Sequence, residues 1–268
     1  MEKTERTDQD RRIPPRINRE EITFFKNRRA KTEYIKVPMG WNYIKVVKFL
    51  RSKANPRNAA GMARFGINPK GTLGVSMPLL RGLARAIRKD KDLDRHVLAG
   101  RLWKSGIHEA RILAALVEDP RQVTRSQAAS WVRDFDSWDV CDQTCLNLFA
   151  QTSFAWDATR QWAIRREEFV KRAGFALMAV LAVHDSEASD EKFLRLLPLV
   201  RRAASDERNF VKKAVNWALR QIGKRNRNLN RRSLVFANEI SRQDFPSARW
   251  IAKDAIRELK DWKPRGKK

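Results

Sequence analysis

The sequence predicts an all-α fold in which short helices pair as antiparallel hairpins and stack into a solenoid. Three observations predict it. From Trp41 onward apolar residues recur almost everywhere at helical spacing, and no stretch sustains the period-two alternation of a half-buried strand. Capping and breaking residues interrupt that pattern often, so the helices are short and their loops hold only a few residues. The hairpins so defined repeat at a distance that fits stacked helical repeats. Identity between units is faint, so the array is HEAT-like in architecture without a repeat motif. Such solenoids curve, and an extended ligand lies along the inner surface.

In chain order the breaks predict helices near 41–53, 57–66, 78–90, 93–104, 107–118, 121–134, 138–151, 156–166, 168–184, 189–204, 208–223, 227–241 and 246–261. Asp119-Pro120 stops one of them, Asp136 or Ser137 can cap the one that follows, and "HDSEASD" at 184–190 separates two more. Residues 1–38 carry Pro14, Pro15 and dense charge, which predicts a basic, largely disordered arm with room for a short helix through Glu20 to Arg29. The domain organisation is therefore an arm over 1–38, a single solenoid domain over 39–262 and a basic tail, "KPRGKK", over 263–268.

Charge names the class of partner. The chain has 268 residues, with 57 Lys plus Arg against 31 Asp plus Glu, a formal net charge of +26. A surface this positive fits a polyanion, either nucleic acid or an acidic membrane surface; the plain alternative is a soluble protein that is merely basic. No run approaches the roughly 18 apolar residues of a membrane span, and the charged N-terminus has no apolar leader core, so a cytoplasmic, nucleoid-associated monomer is expected. Cys141 and Cys145, four apart in one predicted helix and without a His pair at metal spacing, read as small core residues. No metal and no cofactor is implied. His96, His108 and His184 are scattered and receive no role, and Tyr34 and Tyr43 carry no signal beyond packing or arm contacts.

Three helices depart from ordinary core patterning. In 206–226, Val211, Val215, Leu219 and Ile222 fall within roughly 80° of one another at about 100° per residue, which defines the buried stripe. Trp217 lies about 150° from that stripe, flanked by Lys213, Arg220 and Lys224, with Phe210 near the first turn. An indole in a row of cations suits a groove where phosphates meet the cations and a sugar or base meets the ring. The alternative is a tryptophan packed on a neighbouring repeat beside solvated cations. The helix near 168–184 is apolar all round between Phe169 and Val183 except for Lys171 and Arg172. A guanidinium in such a helix needs either a protein carboxylate or a nucleic-acid phosphate. In "FDSWDVCDQTC", 135–145, Asp136 and Asp139 have capping roles open to them, with Asp139 resembling the acid of a capping box. Asp142 does not: it shares a helix face with Trp138 and lies between Cys145, Leu146 and Phe149, so it is either a buried ion pair, with Arg172 or another basic residue, or a working carboxylate.

"SWDVCD" (137–142), "FVKRAGFAL" (169–177) and "NFVKKAVNWALRQIGKRN" (209–226), in this order, resemble the AlkD-like DNA alkylation repair family. "GVSMPLLRGLARAI" (74–87) and "LWKSGIHEARILAALV" (102–117) fit its first repeats, so the resemblance spans roughly 41–240. It implies a HEAT-like solenoid whose concave basic face holds duplex DNA, and a glycosylase for N-alkylated purines. It also implies that Asp142 is the catalytic aspartate, that Trp138 and Trp217 line the cleft against the lesion deoxyribose, and that Arg172 grips the DNA backbone. Lys171, Lys213, Arg220 and Lys224, read from their helix positions, are the further cations expected to face DNA. "NAAGMARFG" (58–66) gives no secure counterpart to the family's additional N-terminal contacts, and the basic arm before Trp41 stands outside the family pattern.

The chemistry implied is coherent. Alkylation at N3 or N7 makes the purine a cationic leaving group, so positive charge moves to the sugar as the bond breaks, as in glycoside hydrolysis. A base that departs by itself needs no general acid; one carboxylate suffices to stabilise the sugar and orient water, without a base-flipping pocket. Two rivals remain, both non-catalytic: a scaffold that binds distorted duplex DNA, and an RNA- or ribosome-associated repeat protein.

Overall fold

The computed structural model describes residues 40–263. The arm expected over 1–38, and all but the first residue of the expected tail, lie outside the described residues. Local chemistry sets most helix starts. Asn42, Asn55, Asp94, Thr124 and Asn226 each turn a side-chain oxygen onto a backbone N–H of the first turn, opening α1 (Tyr43–Ser52), α2 (Pro56–Ala63), α4 (Arg95–Lys104), α6 (Arg125–Arg133) and α13 (Arg227–Ser241). Prolines, whose missing N–H costs nothing in a first turn, lie at the start of α2, α3 (Met77–Lys89), α11 (Leu197–Ala203) and α14 (Pro246–Lys260). The remaining elements are α5 (His108–Val117), α7 (Trp138–Asn147), α8 (Ala155–Ala163), α9 (Glu168–His184), α10 (Asp190–Leu194) and α12 (Asn209–Gly223). No strand occurs among the described residues.

Several predicted helices differ in extent; the one expected over 121–134 begins only at Arg125, after its Thr124 cap. The helix expected over 189–204 is split into α10 and α11, because Pro198 has no N–H to donate and cannot continue a helix through Leu194. The helix expected over 138–151 ends at Asn147; Leu148 leaves helical dihedrals and a 3-10 turn, Phe149–Gln151, completes the segment.

The helices form two rows. In one, α3, α5, α7, α9, α12 and α14 each touch the next; in the other, α4, α8, α11 and α13 each pack against the helix that follows them in the chain. This is the stacked-hairpin arrangement that the periodicity predicts. α9 is the pivot. Its Val170, Ala173, Leu177 and Leu181 belong to an apolar core running from Trp41, while its Phe175, Met178 and Ala182 belong to a second core running on to Ala255. A helix that serves two cores must be apolar on both sides, which is why its sequence shows no polar face.

Gly174 permits a close approach of α9 to the end of α8. A β-carbon there would sit 2.4 Å from the backbone nitrogen and 2.8 Å from the α-carbon of Ala163 at the end of α8. Gly174→Ala is therefore expected to cost about 1–3 kcal/mol by overpacking, lowering Tm by about 2–4 °C per kcal/mol. Gly100→Ala, in α4 where a β-carbon meets nothing within 4 Å, is expected to leave Tm unchanged or raise it. Thermal unfolding of the two variants side by side checks this, and equal shifts would contradict it.

Candidate functional site

The start of α7 is fixed from outside the helix. Ser137 is the N-cap by backbone geometry, yet its hydroxyl does not cap; it accepts from the backbone N–H of Asn68 at 2.9 Å. Asp136 accepts from the Asn68 amide at 3.0 Å and faces Arg111 at 3.5 Å. Asp139 does not form the expected capping box either. Its carboxylate lies 2.8 Å from Nε2 of His108, a buried side chain at the start of α5, so it joins neighbouring helices instead. At the first residue of α7, the Trp138 indole donates to the carbonyl of Phe65 at 3.1 Å.

Asp142 is paired. Arg172 of α9 donates to it twice, Nε to Oδ1 at 3.0 Å and Nη2 to Oδ2 at 2.7 Å, while Nη1 donates to the Phe210 carbonyl at 2.6 Å. One guanidinium thus joins α7, α9 and the first turn of α12. Its side chain is only 6% exposed, whereas that of Asp142 is 17% exposed, so the Asp142 side chain is mostly but not wholly buried. An ionised carboxylate has about four acceptor positions, and Arg172 fills two. Burial pushes the Asp142 carboxyl above its ordinary range against the pull of Arg172. Burial also opposes the charge on Arg172, but the adjacent Asp142 carboxylate outweighs it and raises the guanidinium further.

Arg172, expected to grip the DNA backbone, has each of its three nitrogens bonded to an oxygen of the protein. Three further cations expected to face DNA also have protein partners. Lys171 lies 2.9 Å from Asp206, and Arg220 and Lys224 of α12 both bond Glu258 of α14. Burial would raise the Asp206 carboxyl, but Arg208 and Lys171 hold it down at about 2. Lys213 is exposed and has no ion-pair partner among the described residues. Trp217 is half-buried and packs on the first core, and Trp138 is also half-buried. Beside Arg172, the half-buried rings of Phe169 and Phe210 stack with centroids 5.4 Å apart.

Sequence reasoning did not foresee His108, Phe65, Asn68 or the Phe210 carbonyl in this neighbourhood. Phe65 and Phe210 take part through backbone oxygens, which leave no trace in residue type. His108 had one usable signal, its place at the first position of a helix with Glu109 beside it. Among the described residues no group of three or more metal-binding side chains is gathered.

The family model for the DNA alkylation repair enzyme matches residues 46–259. Among solved structures, the chain is similar to one described as "A new family of proteins related to the HEAT-like repeat DNA glycosylases with affinity for branched DNA structures". That likeness has a TM-score of 0.67 at 18% identity and covers 84% of this chain and 98% of the other, which shows a shared fold. No curated protein matches the sequence.

The His108–Asp139 contact carries a pH signature. Burial alone would lower the imidazole, but the hydrogen bond and charge of Asp139 raise it above its ordinary value of 6.5. A raised folded value means that the stabilisation is complete below about pH 6.5 and is lost as pH rises through the folded value. The difference in unfolding free energy between wild type and His108→Gln is expected to be flat at pH 5–6 and to shrink above about 6.5. Denaturant unfolding across that range measures it; a difference that grows with pH would contradict the assignment.

Proposed function

The chain belongs to the DNA alkylation repair enzyme family, and on that premise we propose that it releases N3- and N7-alkylated purines from duplex DNA by hydrolysing the N-glycosidic bond. The observation that carries this reading is the Asp142 carboxylate, held in a bidentate grip by buried Arg172 one turn beyond Trp138, with its side chain still partly exposed. The alkylated base leaves with the electron pair of the glycosidic bond and becomes neutral. The deoxyribose is left as an oxocarbenium-like cation, which the fixed negative charge of Asp142 stabilises. Water adds through its oxygen to the anomeric carbon, and its surplus proton passes to the carboxylate or to solvent. Trp138 and Trp217 supply indole faces whose attraction for the sugar grows with its charge, about 0.5–2 kcal/mol each.

On this reading Arg172 is a positioning residue rather than a phosphate ligand. It fixes both carboxylate oxygens without occupying the acceptor positions that face outward. Lys213 is free to meet a phosphate, and the +26 charge supplies the wider attraction for a polyanion. Selectivity comes from the lesion's own lability, so uncharged lesions such as uracil are not released. Bulky and minor-groove adducts are tolerated, because no base pocket has to accept them.

One observation favours a second reading. The same ion pair that positions Asp142 also satisfies it, as a purely structural bridge would, and the similar solved structure is described as having affinity for branched DNA. On that reading the protein binds DNA junctions without excision.

Single-turnover release of 3-methyladenine or 7-methylguanine from methylated duplex separates the two. Wild type is expected to release them, and Asp142→Asn to slow release at least about tenfold, about 1.4 kcal/mol, with duplex affinity kept. Unchanged release by the variant would remove Asp142 from catalysis, and branched-DNA binding without release by wild type would establish the second reading. Lys213→Ala is expected to reduce the slope of log affinity against log salt by about 0.9, measured by fluorescence anisotropy on undamaged duplex. An unchanged slope would place Lys213 away from the phosphates.

A further inference from the structure

α2 is a helix with nothing buried, and it ends over the candidate site. Of its residues and those that follow to Gly66, not one is buried, and the Phe65 side chain is 75% exposed. A singly exposed apolar residue is ordinary on a protein surface, and Ile44 is 71% exposed elsewhere. The place of Phe65, not its exposure alone, sets it apart. Its carbonyl accepts from the Trp138 indole, Asn68 bonds Ser137 and Asp136, and Gly66 lies against Phe210 so closely that a β-carbon would come within 2.8 Å of the ring. The segment 65–68 is therefore fastened to the first turns of both α7 and α12, the two ends joined by the Asp142–Arg172 bridge.

The rest of α2 presents a basic face. Arg57, Gly61 and Arg64 are spaced i, i+4 and i+7, which puts them on one side of the helix. Both arginines are exposed without an ion-pair partner among the described residues, and a β-carbon at Gly61 would meet nothing within 4 Å. An open helix face with two free guanidiniums and no side chain between them suits close approach of a phosphate backbone.

We infer that α2 lies along one strand of bound duplex DNA and that Phe65 enters the base stack beside the lesion as an apolar wedge. The inference rests on the duplex-binding reading above and adds to it an element that deforms the DNA. Apolar side chains carried into a groove by neighbouring cations unstack a base step and kink the duplex. A kink at this position would open the damaged strand toward Asp142 without a pocket for the base. The anchored backbone of Phe65 keeps the ring from folding away on contact.

Short duplexes carrying single 2-aminopurine substitutions, scanned along one strand, report unstacking as a rise in fluorescence. At saturating wild-type protein a rise of about twofold or more is expected at one or two adjacent positions. Phe65→Ser is expected to abolish the rise while still saturating the duplex, and Phe65→Leu, which keeps an apolar side chain, to retain part of it. Gly61→Glu, which puts a carboxylate on the open face, is expected to weaken duplex affinity at least about threefold. Equal fluorescence for wild type and Phe65→Ser would overturn the wedge, as would saturation by wild type with no rise, which leaves duplex binding intact. Failure of wild type to bind any duplex would overturn the duplex reading and the wedge together.

Discussion

A charged side chain inside a helix that serves two cores has to be answered, and Arg172 is that side chain. Its three nitrogens are satisfied by both oxygens of Asp142 and by the Phe210 carbonyl, which fixes the relative positions of α7, α9 and α12 at one end. Isolated, a buried guanidinium would cost several kcal/mol; paired in a bidentate fork it becomes a geometric constraint between successive repeats. Other links continue the ladder at neighbouring steps. His108 meets Asp139 between α5 and α7, Lys171 meets Asp206 between α9 and the turn before α12, and Arg220 and Lys224 hold Glu258 between α12 and α14. Apolar packing supplies the cohesion of the stack, and these polar links set the register of one helix of the first row against the next.

The same constraint frames the chemistry. A carboxylate meant to stabilise a sugar cation has to be fixed before the charge develops, because reorienting it during reaction would cost part of the stabilisation. On the proposed function Arg172 does this from the protein side, and the acceptor positions of Asp142 that it does not fill are left for a substrate. The burial that raises the carboxyl also lowers the effective dielectric around it, which strengthens its attraction for a nearby cation. Under the proposed function, a cationic lesion would supply the leaving group and the protein the countercharge.

Much of the fold is written in the sequence as periodicity. The all-α class, the near-complete order of helices and the all-round apolar character of α9 follow from spacing and caps, and Pro198 carries the signal for the split between α10 and α11. The resemblance spanning 137–142, 169–177 and 209–226 pointed to Asp142, Trp138, Trp217 and Arg172 together. What spacing does not carry is the partner of a polar side chain, because periodicity reports which face is buried and not what the neighbouring helix brings to it. Hence Asp139, with the pattern of a capping acid, faces His108, and the basic row beside Trp217 is largely occupied by Glu258. Of the two readings that the sequence left open for Asp142, the ion pair with Arg172 is present in the structure, and its work as a carboxylate remains the proposal.

We propose that Arg172 acts through Asp142 and not through DNA. A double-mutant cycle of Asp142→Asn and Arg172→Gln, read as the release rate of 7-methylguanine at saturating protein, tests it most directly. The account predicts that either substitution alone slows release by about tenfold or more and that the double variant is scarcely slower than the singles. Additive losses, or an Arg172→Gln variant that releases the base at the wild-type rate once bound but binds all duplexes more weakly, would contradict it.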